Sequence, residues 1–313
     1  MNTSRLLRWK SLVGWSAFAA TLYVAFRIIE IDKLLAATKE ATATTLALIV
    51  ASFVLMRIAQ AYALKTSLSI SQNRISSFGA LDLIGTKGLF NLGMSGAGVL
   101  AQGARAKEEF GIPYRNFAAA ALTETLSMIF VLGALLTALA TFGAIEAWRA
   151  TAIALGSGAA LAPILLLSIW HYYPKLTRNY IPFINRHNAP LGTGENVAIK
   201  LATLATLQLV FILTRVARFG LIALTLDASI PSSQIVTALV IGDFATLVPL
   251  TPGGVGIREL TIGAIGNSFG TADILLAAAI IDRLVSVALN TAHGAVTVST
   301  RGLMNYFADR GSR

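Results

Sequence analysis

Residues 201–226 read LATLATLQLVFILTRVARFGLIALTL, twenty-six positions with two charges, Arg215 and Arg218, and no proline. About 20 predominantly apolar residues make a helix long enough to cross the hydrocarbon of a bilayer, so this stretch predicts a membrane span with arginine inside it. Working outward, the same texture returns at Leu12–Ile29, at Ala43–Leu64 with Arg57, at Asn116–Phe142 with Glu124, at Trp148–Trp170 and at Ala272–Val298 with Asp282 and Arg283. Of 313 residues, 55% are hydrophobic and 13% charged, with a mean hydropathy of +0.70; a soluble domain carries about 25% charged residues. This excludes a disordered chain, a secreted mini-scaffold and an ordinary cytosolic enzyme. It predicts an all-α polytopic membrane protein, a single transmembrane domain over 1–313. Leu12–Ile29 reads as an uncleaved first span, because it is long for a signal sequence and its one A-x-A triplet, Ala17-Phe18-Ala19, sits in its middle.

Two stretches are apolar but unsuited to a straight helix. Residues 78–104 hold seven glycines, from Gly79 to Gly103, and residues 235–270 centre on Pro252-Gly253-Gly254-Val255-Gly256-Ile257-Arg258-Glu259. Each is expected to be a re-entrant hairpin, which leaves six full spans. Sliding the chain on itself by 158 positions lays Phe53, Leu55, Arg57 and Ala59 on Phe211, Leu213, Arg215 and Ala217. The same offset lays Gly96 and Gly98 on Gly254 and Gly256, and Glu124 on Asp282. An internal repeat over 45–140 and 203–298 is therefore expected, joined by a connecting loop at 171–199. The net charge of +10 falls mostly in short segments between apolar runs, which points to the inside-positive bias rather than to nucleic acid. With both termini cytoplasmic, Arg5, Arg8, Lys65, Arg105, Lys175 and Arg178 face inward, while the outside keeps little beyond Lys33, Lys39, Arg149 and Arg258. In that topology the two halves are inverted, in an inner or plasma membrane.

Catalytic chemistry is poorly supplied. There are no cysteines and three histidines, His171, His187 and His293, none at helical spacing to another. No Asp-x-Asp pair offers a metal-bound nucleotide-sugar site. The chain is expected not to be an enzyme, and to need no cofactor or metal. The chemistry-bearing candidates are the glycine-rich turn and the charges inside spans. At 252–259, Pro252 stops a helix, and Gly253, Gly254 and Gly256 let backbone approach a ligand closely; Arg258 and Glu259 open the next helix. The bland alternative is a tight extracellular turn. A charge at membrane depth is costly and faces a cavity or a partner. Arg57 and Arg215 read as phosphate-holding guanidinium groups, with Glu124 and Asp282 balancing them. The alternative is two structural ion pairs, Arg57–Glu124 and Arg215–Asp282. Arg218 is expected to snorkel outward and Asp82 to cap a helix. Asp243 and Lys87 read either as cavity-lining or as caps, and the four tryptophans as interface anchors.

The 252–259 segment resembles the signature of the flippase-type transmembrane domain of bacterial lysylphosphatidylglycerol synthases. The family's Pro-Gly-Gly-x-Gly-x-x-Glu pattern falls on Pro252, Gly253, Gly254, Gly256 and Glu259. The Phe110-Gly111-Ile112-Pro113 turn before an Ala-rich helix with Glu124 is similar to the family's first half, and Arg283 matches an arginine of its last span. The first half departs at Ser95-Gly96-Ala97-Gly98, which lacks the proline, and at Thr125, where an arginine often follows the glutamate. The chain ends at Arg313, so the resemblance leads one to expect a stand-alone transmembrane unit without the aminoacyltransferase domain. It implies a flippase or scramblase moving a phospholipid or polyprenyl-phosphate headgroup along a polar seam, with anionic or phosphate-bearing membrane lipids as its partners. The rival readings are a membrane glycosyltransferase or lipid-modifying enzyme, and a non-transporting partner of such an enzyme docked through 171–199.

Overall fold

The structure, a computed structural model, describes residues 42–71, 73–91, 97–142, 149–172, 196–247 and 256–311. Among the described residues every regular element is a helix. The first four are α1 (Ala43–Ile70), α2 (Ser77–Phe90), α3 (Ala97–Phe110) and α4 (Tyr114–Thr141). They are followed by α5 (Arg149–Tyr172), α6 (Asn196–Leu226), α7 (Ser232–Ala245), α8 (Ile257–Phe269) and α9 (Ala272–Gly311). Helices α1, α4 and α6 are each long and apolar enough, by length and composition, to cross a membrane. The chain is an all-α polytopic membrane protein. The expected span Leu12–Ile29 and most of the expected loop 171–199 lie outside the described residues.

Local chemistry sets the helix ends. Thr42 accepts the Thr45 N–H at 3.1 Å and Ser76 accepts the Gly79 N–H at 3.0 Å, each quenching an orphan donor of a first turn. Pro113 and Pro231 precede α4 and α7, where a missing N–H costs nothing. Helices α3 and α8 stop at Gly111 and Gly270, with φ of +65° and +73°. The next N–H then turns back onto the helix, from Ile112 to the Ala106 carbonyl at 3.1 Å and from Thr271 to the Gly266 carbonyl at 2.9 Å.

The glycine-broken stretches become paired short helices, α2 with α3 and α7 with α8. Each arm has 13 or 14 residues. At 1.5 Å per residue that is about 20 Å, too short to cross a hydrocarbon core of about 30 Å alone. The order long, short, short, long occurs twice. Moved by 158 positions, the starts of α1 to α4 fall at 201, 235, 255 and 272, against observed starts at Asn196, Ser232, Ile257 and Ala272. Packing follows the same scheme: α2 lies against α1 and α9, α7 lies against α6 and α4, and α1 and α6 pack on each other. Phe219, Ile235, Ile262 and Leu275 form the apolar core where α6 to α9 meet. Phe53, Leu132 and Ile212 join α1, α4 and α6, and Leu68, Leu83 and Phe117 close the first hairpin. Leu46, Val50, Val54, Leu213 and Leu224 point outward, the side a lipid-solvated protein leaves apolar.

Candidate functional site

The last turn of α7 carries Asp243, and the chain enters α8 through Gly256. Gly256 has φ +88°, a conformation in which a side chain would strain the backbone. Arg258 and Glu259 follow in the first turn of α8. Glu259 Oε2 accepts the Gly256 N–H at 2.8 Å, so its carboxylate sits on the positive end of the helix. Helix α9 brings Asp282 and α6 brings Arg215 and Arg218 to the same place.

These side chains form an alternating ladder. Arg258 Nε donates to Asp243 Oδ1 at 3.0 Å and its Nη2 to Asp282 Oδ2 at 2.9 Å. The other oxygen of each carboxylate holds a second arginine. Arg218 Nε donates to Asp282 Oδ1 at 2.7 Å. Arg215 Nη1 lies 2.8 Å from Asp243 Oδ2 as an ion pair without hydrogen-bond alignment. Arg218 also donates to Ser286 Oγ at 2.8 Å, and Glu259 Oε1 stands 3.9 Å from Arg258. Arg258, Arg218, Asp243 and Asp282 are each at most 2% exposed. A planar guanidinium serves two carboxylates at once through its fork of donors, which an ammonium cannot do.

Several expected residues meet here: Arg215, Gly256, Arg258, Glu259 and Asp282, with Arg283 in electrostatic range of Glu259. Gly253 and Gly254 lie outside the described residues. The expected pairings are corrected. Arg215 pairs with Asp243, not Asp282, and Asp282 belongs to Arg218 and Arg258. Arg218 does not snorkel outward. It stands three residues from Arg215 on one helical face, and α9 holds a carboxylate within its reach. Arg57 does not pair with Glu124: its Nη1 donates to Gln60 at 2.8 Å and its guanidinium lies 5.0 Å from the Phe53 ring centre. Glu124 is half-buried and makes no ion pair among the described residues. Asp82 is no cap, since Ser76 caps α2; it binds Arg105 at 2.6 Å and ties α2 to α3. Arg258 is not in an outer aqueous turn but inside the ladder. Sequence reasoning misplaced Arg218, passed over Ser286 and left Asp243 undecided. The available signal was the i, i+4 spacing of Asp282 and Ser286 on one face of α9.

Among the described residues the ion pairs of this centre join three arginines, 215, 218 and 258, to three carboxylates, 243, 259 and 282. Arg57 and Arg283 stand in electrostatic range of it. Among the described residues no group of three or more His, Cys, Asp or Glu is arranged to hold a metal.

A family model described as "Lysylphosphatidylglycerol synthase TM region" matches residues 9–294. A search of the curated proteins found no match.

Proposed function

Because the chain belongs to the lysylphosphatidylglycerol synthase transmembrane-region family, a family of membrane-lipid proteins, we propose that it is a lipid flippase or scramblase rather than an enzyme. Its cargo is the headgroup of a phospholipid or polyprenyl-phosphate lipid in the inner or plasma membrane. The observation that supports this best is the buried ladder of Arg215, Asp243, Arg258, Asp282 and Arg218. It is built on a hairpin whose arms are too short to span. Irregular backbone at membrane depth is tolerated where it is buried or lines a watery cavity, and transporters place their sites at such broken helices between repeats. The twice-repeated order of long and short helices supports the same reading, with the two halves inverted and both termini cytoplasmic.

On this reading the phosphate competes with a carboxylate for an arginine. Arg215 is the one to yield, since its contact with Asp243 lacks hydrogen-bond alignment and its side chain is 18% exposed. Arg258 and Arg218 stay fixed and keep the ladder in register. The lipid tails remain in the bilayer throughout. The test is purified protein in liposomes with fluorescently labelled phospholipids, followed by dithionite quenching of the outer leaflet. Accelerated loss of inner-leaflet label supports transport; protein-containing and protein-free vesicles behaving alike would overturn it.

A further inference from the structure

Beyond the ladder, α9 continues as a polar stripe: Asp282, Ser286, Asn290, His293 and Thr297 recur at steps of three and four residues, on one helical face. Asp282 and Ser286 are held by Arg218. Asn290 and His293 lie about 12 and 16 Å from Asp282 along the helix axis, opposite the glycine face of α2. A Cβ built on Gly88 would stand 3.0 Å from Arg57 Nη2 and 3.3 Å from Asn290 Oδ1. One built on Gly85 would stand 3.3 Å from His293 Nε2. Three helices, α1, α2 and α9, thus bring Arg57, Asn290 and His293 together, and two glycines of α2 let these side chains pack closely against it.

Arg57 Nη1 is held by Gln60 and the Asp82 carboxylate acts on His293, but three polar atoms there lack partners. Arg57 Nε, Asn290 Oδ1 and His293 Nδ1 are buried without a hydrogen bond. Arg57 is 8% exposed and has no ion pair among the described residues; Arg218, the one charge that acts on it strongly, has the same sign. A buried cation without a counter-ion is unfavourable in a way that Arg258, with its two carboxylates, is not. The unpaired Arg57 Nε–H suits a phosphate oxygen, as does His293 in the tautomer that carries its hydrogen on Nδ1, and the Asn290 carboxamide accepts from a hydroxyl or, turned over, donates.

We infer that Arg57, Asn290 and His293 form a second phosphate subsite, distinct from the ladder and joined to it by the α9 stripe; it rests on the transport reading as the second station of one path. Arg57 is the open station, and the ladder is the self-neutralised one.

The experiment uses the full chain in detergent and reads thermal unfolding against added dioctanoyl phosphatidic acid, inorganic phosphate and dioctanoylglycerol. The midpoint is expected to rise saturably with the phosphatidic acid and not with dioctanoylglycerol, which has the same tails and no phosphate. A rise with inorganic phosphate too makes the free anion sufficient; a rise with the lipid alone assigns the subsite to the lipid-borne ester. Arg57→Gln should weaken the half-saturation at least tenfold while leaving the ligand-free midpoint at or above wild type, because an uncompensated cation has gone. Gly88→Val, which crowds Arg57 and Asn290 from α2, should weaken it with Arg57 in place. An equal rise with dioctanoylglycerol, an unchanged response in Arg57→Gln, or a ligand-free midpoint several degrees lower in that variant would overturn the subsite. No transport is measured here, so that failure leaves the flippase reading standing, and a phosphate response without lipid movement in liposomes ends the flippase reading alone.

Discussion

At the scale of residues, Arg258 and Arg218 differ from Arg215 in how much of their charge is answered. Replacing Arg258 by Leu leaves Asp243 and Asp282 each short of a partner, and breaking such a buried pair costs about 3–5 kcal/mol in soluble proteins. Thermal unfolding in detergent should place Arg258→Leu far below wild type, with Arg258→Lys between them because an ammonium cannot reach both carboxylates. Arg218→Gln should lower the midpoint more than Arg215→Gln, since Arg218 holds Asp282 and Ser286 with aligned bonds. Equal losses would mean that the Arg215–Asp243 contact is stronger than its geometry indicates. Gly256→Ala places a side chain at φ +88° and should destabilise by about 1–3 kcal/mol in the same measurement. The sequence announced that arginines and carboxylates stood inside spans. It could not say which met which: Arg215 and Arg218 share a helical face, and the choice rests on where α7 and α9 place Asp243 and Asp282.

At the scale of elements, the two hairpins are tied differently. Helices α7 and α8 are joined near the break between them by Asp243 and Arg258. Helices α2 and α3 have a neutral tie there, the Gly98 N–H on Asn91 Oδ1 at 3.1 Å, and place their charges, Asp82 and Arg105, further down the arms. Helices α4 and α5 cross closely at Gly133 and Gly156. A Cβ on Gly133 would lie 2.6 Å from the Ala160 nitrogen and the Gly156 carbonyl, backbone that cannot move aside. Gly133→Val should therefore push α5 off α4 and lower the unfolding midpoint clearly. Lipid movement per folded molecule should be kept, because neither helix contributes to the ladder; loss of transport at full stability would place this crossing in the pathway. Apolar runs marked the long helices well, since their composition alone predicts them. The end of α9 was less legible: the apolar run stops at Val298, whereas the helix continues to Gly311, because helix propensity does not stop where hydrophobicity does.

At the scale of the molecule, the proposed topology has a direct test. In intact cells, an impermeant thiol reagent should label a cysteine at Ser268, an exposed position near the end of α8, and leave cysteines at Ser4 and Gly194 unlabelled. Labelling at Gly194 from outside would exclude the inverted arrangement. The offset of 158 positions was visible in sequence because it preserved residue types, an arginine and a carboxylate among them. The polar stripe of α9 was not visible, because Ser286, Asn290 and Thr297 are ordinary residues until the glycine face of α2 is set against them.

The ladder also has a consequence for how the protein is made. Helices α6 to α9 each bring at least one ladder charge, and a charged residue carried to membrane depth by a lone helix is costly. Partitioned singly, α7 with Asp243 and α8 with Arg258 and Glu259 would each resist entering lipid; presented together they neutralise one another. The second half of the chain should accordingly leave the insertion machinery as one assembled group, held back until Asp282 has been synthesised.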